Sequence, residues 1–156
     1  MSYSEDELRL KKILTTIINS TPGLKYVLIT DDTGITILSQ SKFKFVDPNG
    51  ISVEKIGAIG GAVFVAGEEQ GQILGYGGID LQITEYYEGM IFSMKVGKGV
   101  LCVCSDKNAH IGFIRAIMKK WAPKISKILN QYLQVDQADL GEEMKELFKS
   151  DTLGML

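Results

Sequence analysis

Two cysteines, Cys102 and Cys104, and a lone histidine, His110, are the residues of this chain best suited to hold a soft metal. Structural zinc sites take four thiolate or imidazole ligands at recurring spacings. Three donors at positions 102, 104 and 110 are a weak signal, and no metal or other cofactor is expected. The cysteines stand two apart in the apolar run VLCVC, too close to crosslink distant segments. They read as reduced core thiols of a cytoplasmic protein. Nucleotide chemistry finds no better footing. The phosphate-binding pattern GxxxxGK[ST] is missing, and Gly97-Lys98-Gly99 reads as a hairpin turn. The stretch GYGG at 75–78 precedes a strand, whereas a phosphate cradle opens a helix. Serine, histidine and aspartate form no acyl-transfer set, and His110 reads as a surface or capping residue. No catalytic residue is assigned, and the chain is not expected to be an enzyme.

Patterning carries more. The 156 residues are 45% apolar and 23% charged, the composition of one folded domain. A formal net charge of −2 gives no overall pull toward nucleic acid or a membrane. No apolar run reaches the roughly 20 residues needed to cross a bilayer. Residues 5–19 have helical spacing, with apolar positions 10, 13, 14, 17 and 18. Leu24 to Thr30 and Ile35 to Gln40 flank a polar Gly-containing turn and read as a hairpin. Ser52 is the expected cap of a second helix running to about Gln70. A strand from Ile79 to Tyr87 follows, then a hairpin of 90–96 and 100–104. The apolar run 100–104 has the character of a central strand covered on both faces. A last helix, capped by Asn108, reaches about Tyr132, with Pro123 expected to kink or divide it. The fold class is α+β, a five-stranded antiparallel sheet with helices on both faces.

The second helix is the anomaly. Its stretch IGAIGGAVFVAG (56–67) is uncharged and holds four glycines. Each interior glycine costs about 1 kcal/mol relative to alanine. Burying one Val, Ile or Phe contributes roughly 1.5–3 kcal/mol, so packing on two sides offsets the deficit. At helical spacing, Gly57, Gly60, Gly61, Phe64 and Gly67 share one side, and Ile56, Ile59, Ala62, Val63 and Ala66 the other. One side covers the sheet; the other is covered by this chain or by a second copy. A strand at 79–87 lying at the sheet edge would need a cover as well.

The segment from IGAIGGAVFVAGEEQGQ through IGFIRAIMKKWAPKI resembles the roadblock family. The matching features are the small-residue helix ending near AGE, a short glycine link and an edge strand. A hairpin closing in an apolar run plus Ser-Asp follows, then the last helix. With the first helix and hairpin, the likeness spans about residues 5–133. The family includes dynein roadblock light chains, a bacterial gliding-motility regulator of a Ras-like GTPase, and subunits of lysosomal GTPase scaffolds. The resemblance implies a sheet order of 2-1-5-4-3, with the middle helix on one face and the terminal helices on the other. It implies homodimers joined through the third strands and middle helices, which makes Gly57, Gly60, Gly61, Phe64, Ile79, Leu81 and Ile83 interface candidates. It also implies a non-enzymatic scaffold that binds and regulates a Ras-like small GTPase. The alternative is a light-chain-like adaptor within a larger assembly.

The expected division is a domain at 1–135 and an acidic tail at 136–156. The tail holds six acids against two lysines, and Leu140, Met144, Leu147 and Phe148 recur at the spacing of a short amphipathic helix. It would fold back on the basic row Arg115, Lys119, Lys120, Lys124 and Lys127, grip a partner through Met144, Leu147 and Phe148, or fray. Phe43 and Phe45 either contact a partner or turn inward to pin their loop.

Overall fold

The computed structural model describes residues 3–42 and 50–154, with side chains for 5–42 and 50–134. Phe43 and Phe45 lie outside the described residues. The elements run α1 (Tyr3–Ile18), β1 (Leu24–Asp31), β2 (Thr36–Ser41), α2 (Val53–Leu74), β3 (Gln82–Tyr86), β4 (Gly89–Val96), β5 (Gly99–Asp106) and α3 (Ile111–Gly154). The strands form one antiparallel sheet in the order β2-β1-β5-β4-β3. The expected class and topology are therefore the observed ones. Helices α1 and α3 pack on each other and on one sheet face, while α2 packs on β1, β2 and β5.

The two faces differ in size. The α1–α3 side holds the main core, including Leu14, Ile29, Phe92, Leu101, Met118 and Leu129. The α2 side holds a small cluster of Tyr26, Leu28 and Cys102, joined by Val53, Ile56, Ile91 and Cys104. Central β5 alternates Leu101 and Val103 into the first with Cys102 and Cys104 into the second. This two-sided burial explains its uninterrupted apolar sequence.

Several element boundaries differ from the sequence reading, three of them with a visible cause. Helix α2 continues to Leu74 and stops at Gly75, whose φ of 71° is left-handed. Gly75 N donates to the Gln72 carbonyl at 3.1 Å and Tyr76 N to the Gly71 carbonyl at 2.8 Å, a Schellman stop. Strand β3 begins at Gln82, so Ile79 and Leu81 belong to the connection before it. The Ile79 N–H is taken by Glu68 Oε2 at 3.1 Å rather than by a neighbouring strand. Helix α3 begins after His110 instead of Asn108, because Asp106 Oδ1 holds the Asn108 N–H in a turn at 2.9 Å.

Pro123 does not divide α3, which is one helix of 44 residues. The carbonyl that loses its donor belongs to Lys119, and both residues are exposed, so water can take the bond. The helix also runs through the expected boundary at 135–136, so the acidic tail continues α3 and is not a separate short helix.

At the capping end of α2, Ser52 Oγ accepts from Lys55 N at 3.3 Å, as expected. Beyond it the glycines decide how deep α2 sits. A side chain at Gly57 would strike the Thr36 hydroxyl, and Thr30 Cγ2 lies 3.1 Å from the same point. A Cβ at Gly61 would lie 2.7 Å from Gly34 Cα. These two glycines let the helix rest directly on the β1–β2 hairpin. Gly61→Ala tests this. Alanine improves helix propensity by about 1 kcal/mol, but backbone of the hairpin stands where its methyl must go. We predict a net loss of about 1–3 kcal/mol, read as a lower urea midpoint at fixed protein concentration. A raised midpoint would show that α2 is not seated on Gly34.

Candidate interface on helix α2 and strand β3

The inward face of α2 is the glycine side. Gly57, Gly61 and Phe64 are buried against the chain's own sheet. The structure departs from the expectation for those three residues, which are buried within the chain rather than turned outward. Gly60 differs, because among the described residues nothing beyond its own stretch of helix lies within 4 Å of where its Cβ would stand. The outward side carries Ile59, Val63, Val65, Ile73 and Leu74, with Ile59 64% and Ile73 85% exposed. Ala62 and Ala66 are exposed between them. Contiguous apolar surface of this kind marks an interaction site.

Strand β3 borders this surface. Among the described residues it pairs only with β4, leaving its other edge open. Thr84 and Tyr86 are exposed, as is Tyr87 just beyond. Ile83 is 37% exposed, while Ile79 and Leu81 are half-buried. Ile79 Cδ1 lies 2.8 Å from where a Gly67 side chain would begin, so Ile79 closes over the end of α2. Leu81 packs against the main core. Of the seven residues expected at an interface, Gly60 and Ile83 stay open to one, and Ile79 and Leu81 do so in part. The outward residues Ile59, Val63 and Ile73 were missed. The signal for them was the position of charge-free apolar residues opposite the glycines, since only the glycine side tolerates contact with backbone.

Two carboxylates set the geometry around this surface. Asp31 organises the β1–β2 turn on which α2 rests. Its Oδ1 accepts from Thr33 N at 2.9 Å, Thr33 Oγ1 at 2.6 Å and Ile35 N at 3.0 Å. Gly34, at φ 91°, is thereby held against Gly61. Burial alone would raise the Asp31 pKa, but the hydrogen bonds from Thr33, Ile35 and Gly34 outweigh it and hold it below 3.8. Asp80, in the link before β3, accepts from Lys119 at 2.9 Å and Arg115 at 3.3 Å. The hydrogen bond and charge of Lys119, with Arg115 behind, lower its pKa. The pair ties the start of β3 to α3. It also divides the basic row, because Arg115 and Lys119 serve Asp80 while Lys120 and Lys124 flank the Trp121 ring at 5.6 and 5.8 Å.

Among the described residues no group of three or more His, Cys, Asp or Glu side chains could hold a metal. Both cysteines are free thiols. The Cys104 thiol is pushed up by its hydrogen bond to Cys102 and by burial, so it keeps its proton at neutral pH. No helix of the described residues is long and apolar enough to cross a membrane. Met144, Leu147 and Phe148 lie in the last stretch of α3.

No family model matches the chain. An uncharacterized protein of Methanocaldococcus jannaschii is 31% identical over 108 residues, covering 69% of this chain and 86% of that one. The solved gliding protein MglB of Thermus thermophilus superposes with a TM-score of 0.72 at 14% identity, covering 81% of this chain and 92% of that one. A Roadblock/LC7 domain from Streptomyces avermitilis does so with a TM-score of 0.63 at 15% identity, covering 79% and 96%. The chain is a roadblock-fold protein and belongs to one family with its archaeal relative. In roadblock terms, helix α2 and strand β3 are the two elements that the sequence resemblance assigned to pairing.

The Asp31 turn gives a test of how α2 is seated. A carboxyl whose folded pKa is depressed stabilises above its unfolded value and loses that contribution as pH falls through the folded value. Asp31→Asn is expected to be less stable than wild type at neutral pH, with the gap narrowing as pH drops below 3.8. Thermal melts from neutral pH to about pH 3 check this, and a gap independent of pH would contradict it.

Proposed function

We propose that this protein is a non-enzymatic platform in which two copies join through the outer flank of α2 and the edge of β3. The joined surface binds and regulates a Ras-like small GTPase. The observation that carries the reading is the exposed apolar flank of α2 lying beside an edge strand whose outer side is open. Either feature alone is a liability in water, and one two-fold contact covers both. The roadblock fold shared with MglB supports it, as does the resemblance to a family containing regulators of small GTPases. Such a platform needs no catalytic residue of its own: it acts by binding one conformation of the partner's switch segments more tightly than another. Phe43 and Phe45, with Met144, Leu147 and Phe148, are proposed partner contacts.

Gly60 is a clean probe of the pairing. Among the described residues nothing beyond its own stretch of helix stands where its side chain would go, so Gly60→Leu is expected to leave the fold intact and push a second α2 away. Light scattering should show a dimer for wild type and a monomer for the variant, with unchanged circular dichroism. A folded Gly60→Leu variant that keeps the dimer mass would refute this interface. For the GTPase, titration calorimetry with Ras-like GTPases of the same genome should show at least about tenfold tighter binding in one nucleotide state, a difference of about 1.4 kcal/mol. Equal binding in both states would make the protein an adaptor instead.

A further inference from the structure

The opposite face of the domain carries a groove that this pairing leaves open. Arg9 and Lys12 of α1 line it together with Trp121, Lys124 and Lys127 of α3. No acid lines it. None of its four cations enters an ion pair found among the described residues, which involve Lys107, Arg115 and Lys119. Arg9, Lys12, Lys124 and Lys127 are all exposed, while Trp121 is half-buried. Four like charges around one groove repel each other, and an acidic occupant would relieve that repulsion.

The chain contains a segment of that chemistry. Residues 136–156 hold six acids against two lysines. Asp136, Asp139, Glu143 and Glu146 recur every three or four residues, and Leu140, Met144 and Leu147 do the same. The segment continues α3, the helix that forms one wall of the groove. At 1.5 Å per residue, residues 135–154 reach about 30 Å beyond Gln134. A helix continuous with the wall cannot turn back into the groove beside it, so the segment can fill this groove only in another molecule. A concave channel between two helices suits a rod carrying acidic and apolar residues better than it suits a flat bilayer.

We propose that the acidic C-terminal stretch of α3 from one copy docks in the basic α1–α3 groove of a second copy. The tail carboxylates meet Arg9, Lys12, Lys124 and Lys127, and its apolar residues meet Trp121. This contact is separate from the α2–β3 pairing and links paired units into larger assemblies.

The test is the solution mass of the full chain in about 50 mM and about 500 mM salt, because exposed charge pairs are screened at the higher value. Wild type should show a larger mass at low salt, falling by a whole-number step at high salt. Lys124→Glu with Lys127→Glu should abolish the step, and so should Glu143→Lys with Glu146→Lys. All four changes together should restore it. Circular dichroism verifies that each variant is folded. Gly60→Leu should leave the salt-sensitive step in place, which separates failure of this contact from failure of the α2–β3 pairing. A salt-independent mass, or a folded four-site variant that does not regain the step, would overturn the proposal. So would a missing step together with phosphatidylserine-vesicle binding that depends on Lys124 and Lys127, which would give the groove to a membrane.

Discussion

The structure depends on how closely α2 approaches the β1–β2 hairpin. Gly57 and Gly61 have no side chains, and the helix backbone rests on Thr36 and on Gly34. Beneath the helix, the hydroxyls of Thr30 and Thr36 are buried with no hydrogen-bond partner among the described residues. That is a cost of about 1–3 kcal/mol for each such group. The gain is a helix placed low on the β1 side of the sheet, with its apolar flank toward solvent and the side chain of Gln82 in β3 close to Gly67. An alanine-rich helix would stand higher and further from the hairpin. The glycines thus act indirectly on any assembly: they define the inward face and so decide which residues remain outside.

Charge is arranged around this placement. Asp31 fixes the turn beneath α2, and Asp80 fixes the approach to β3 through Arg115 and Lys119. Each carboxylate is exposed enough that its contribution to stability is small. Their effect is on position, since one holds the hairpin at the depth α2 requires and the other ties the edge strand to α3. The remaining cations of α3 gather with those of α1 on the far face. The molecule therefore presents an apolar surface and a basic surface on opposite sides of one sheet.

Much of this was legible in the residues. The Ser52 cap, the turn at Gly97 and the two-sided burial of β5 follow from local pattern, whereas the strand order followed from the family resemblance. The depth and rotation of α2 did not. A glycine stripe permits close approach without saying to what, and only the hairpin's own glycine, Gly34, decides it. Strand β3 is shorter than its apolar alternation implied because Glu68, eleven residues earlier, takes the Ile79 N–H. The continuity of α3 was hidden by Pro123, whose cost depends on whether water reaches the freed carbonyl. The basic groove was split in sequence between Arg9 and Lys12 near one end and Lys124 and Lys127 near the other.

The central claim is that a second copy covers both the α2 flank and the β3 edge. Amide exchange along Gln82–Tyr86, read residue by residue across a dilution series, addresses it most directly. A lone edge strand protects only the amides bonded to β4, so alternate residues exchange freely. The account predicts protection of every amide in β3 at high concentration, with the outward set losing it on dilution as the pair dissociates. Free exchange of the outward amides at concentrations where the protein is a dimer would contradict it.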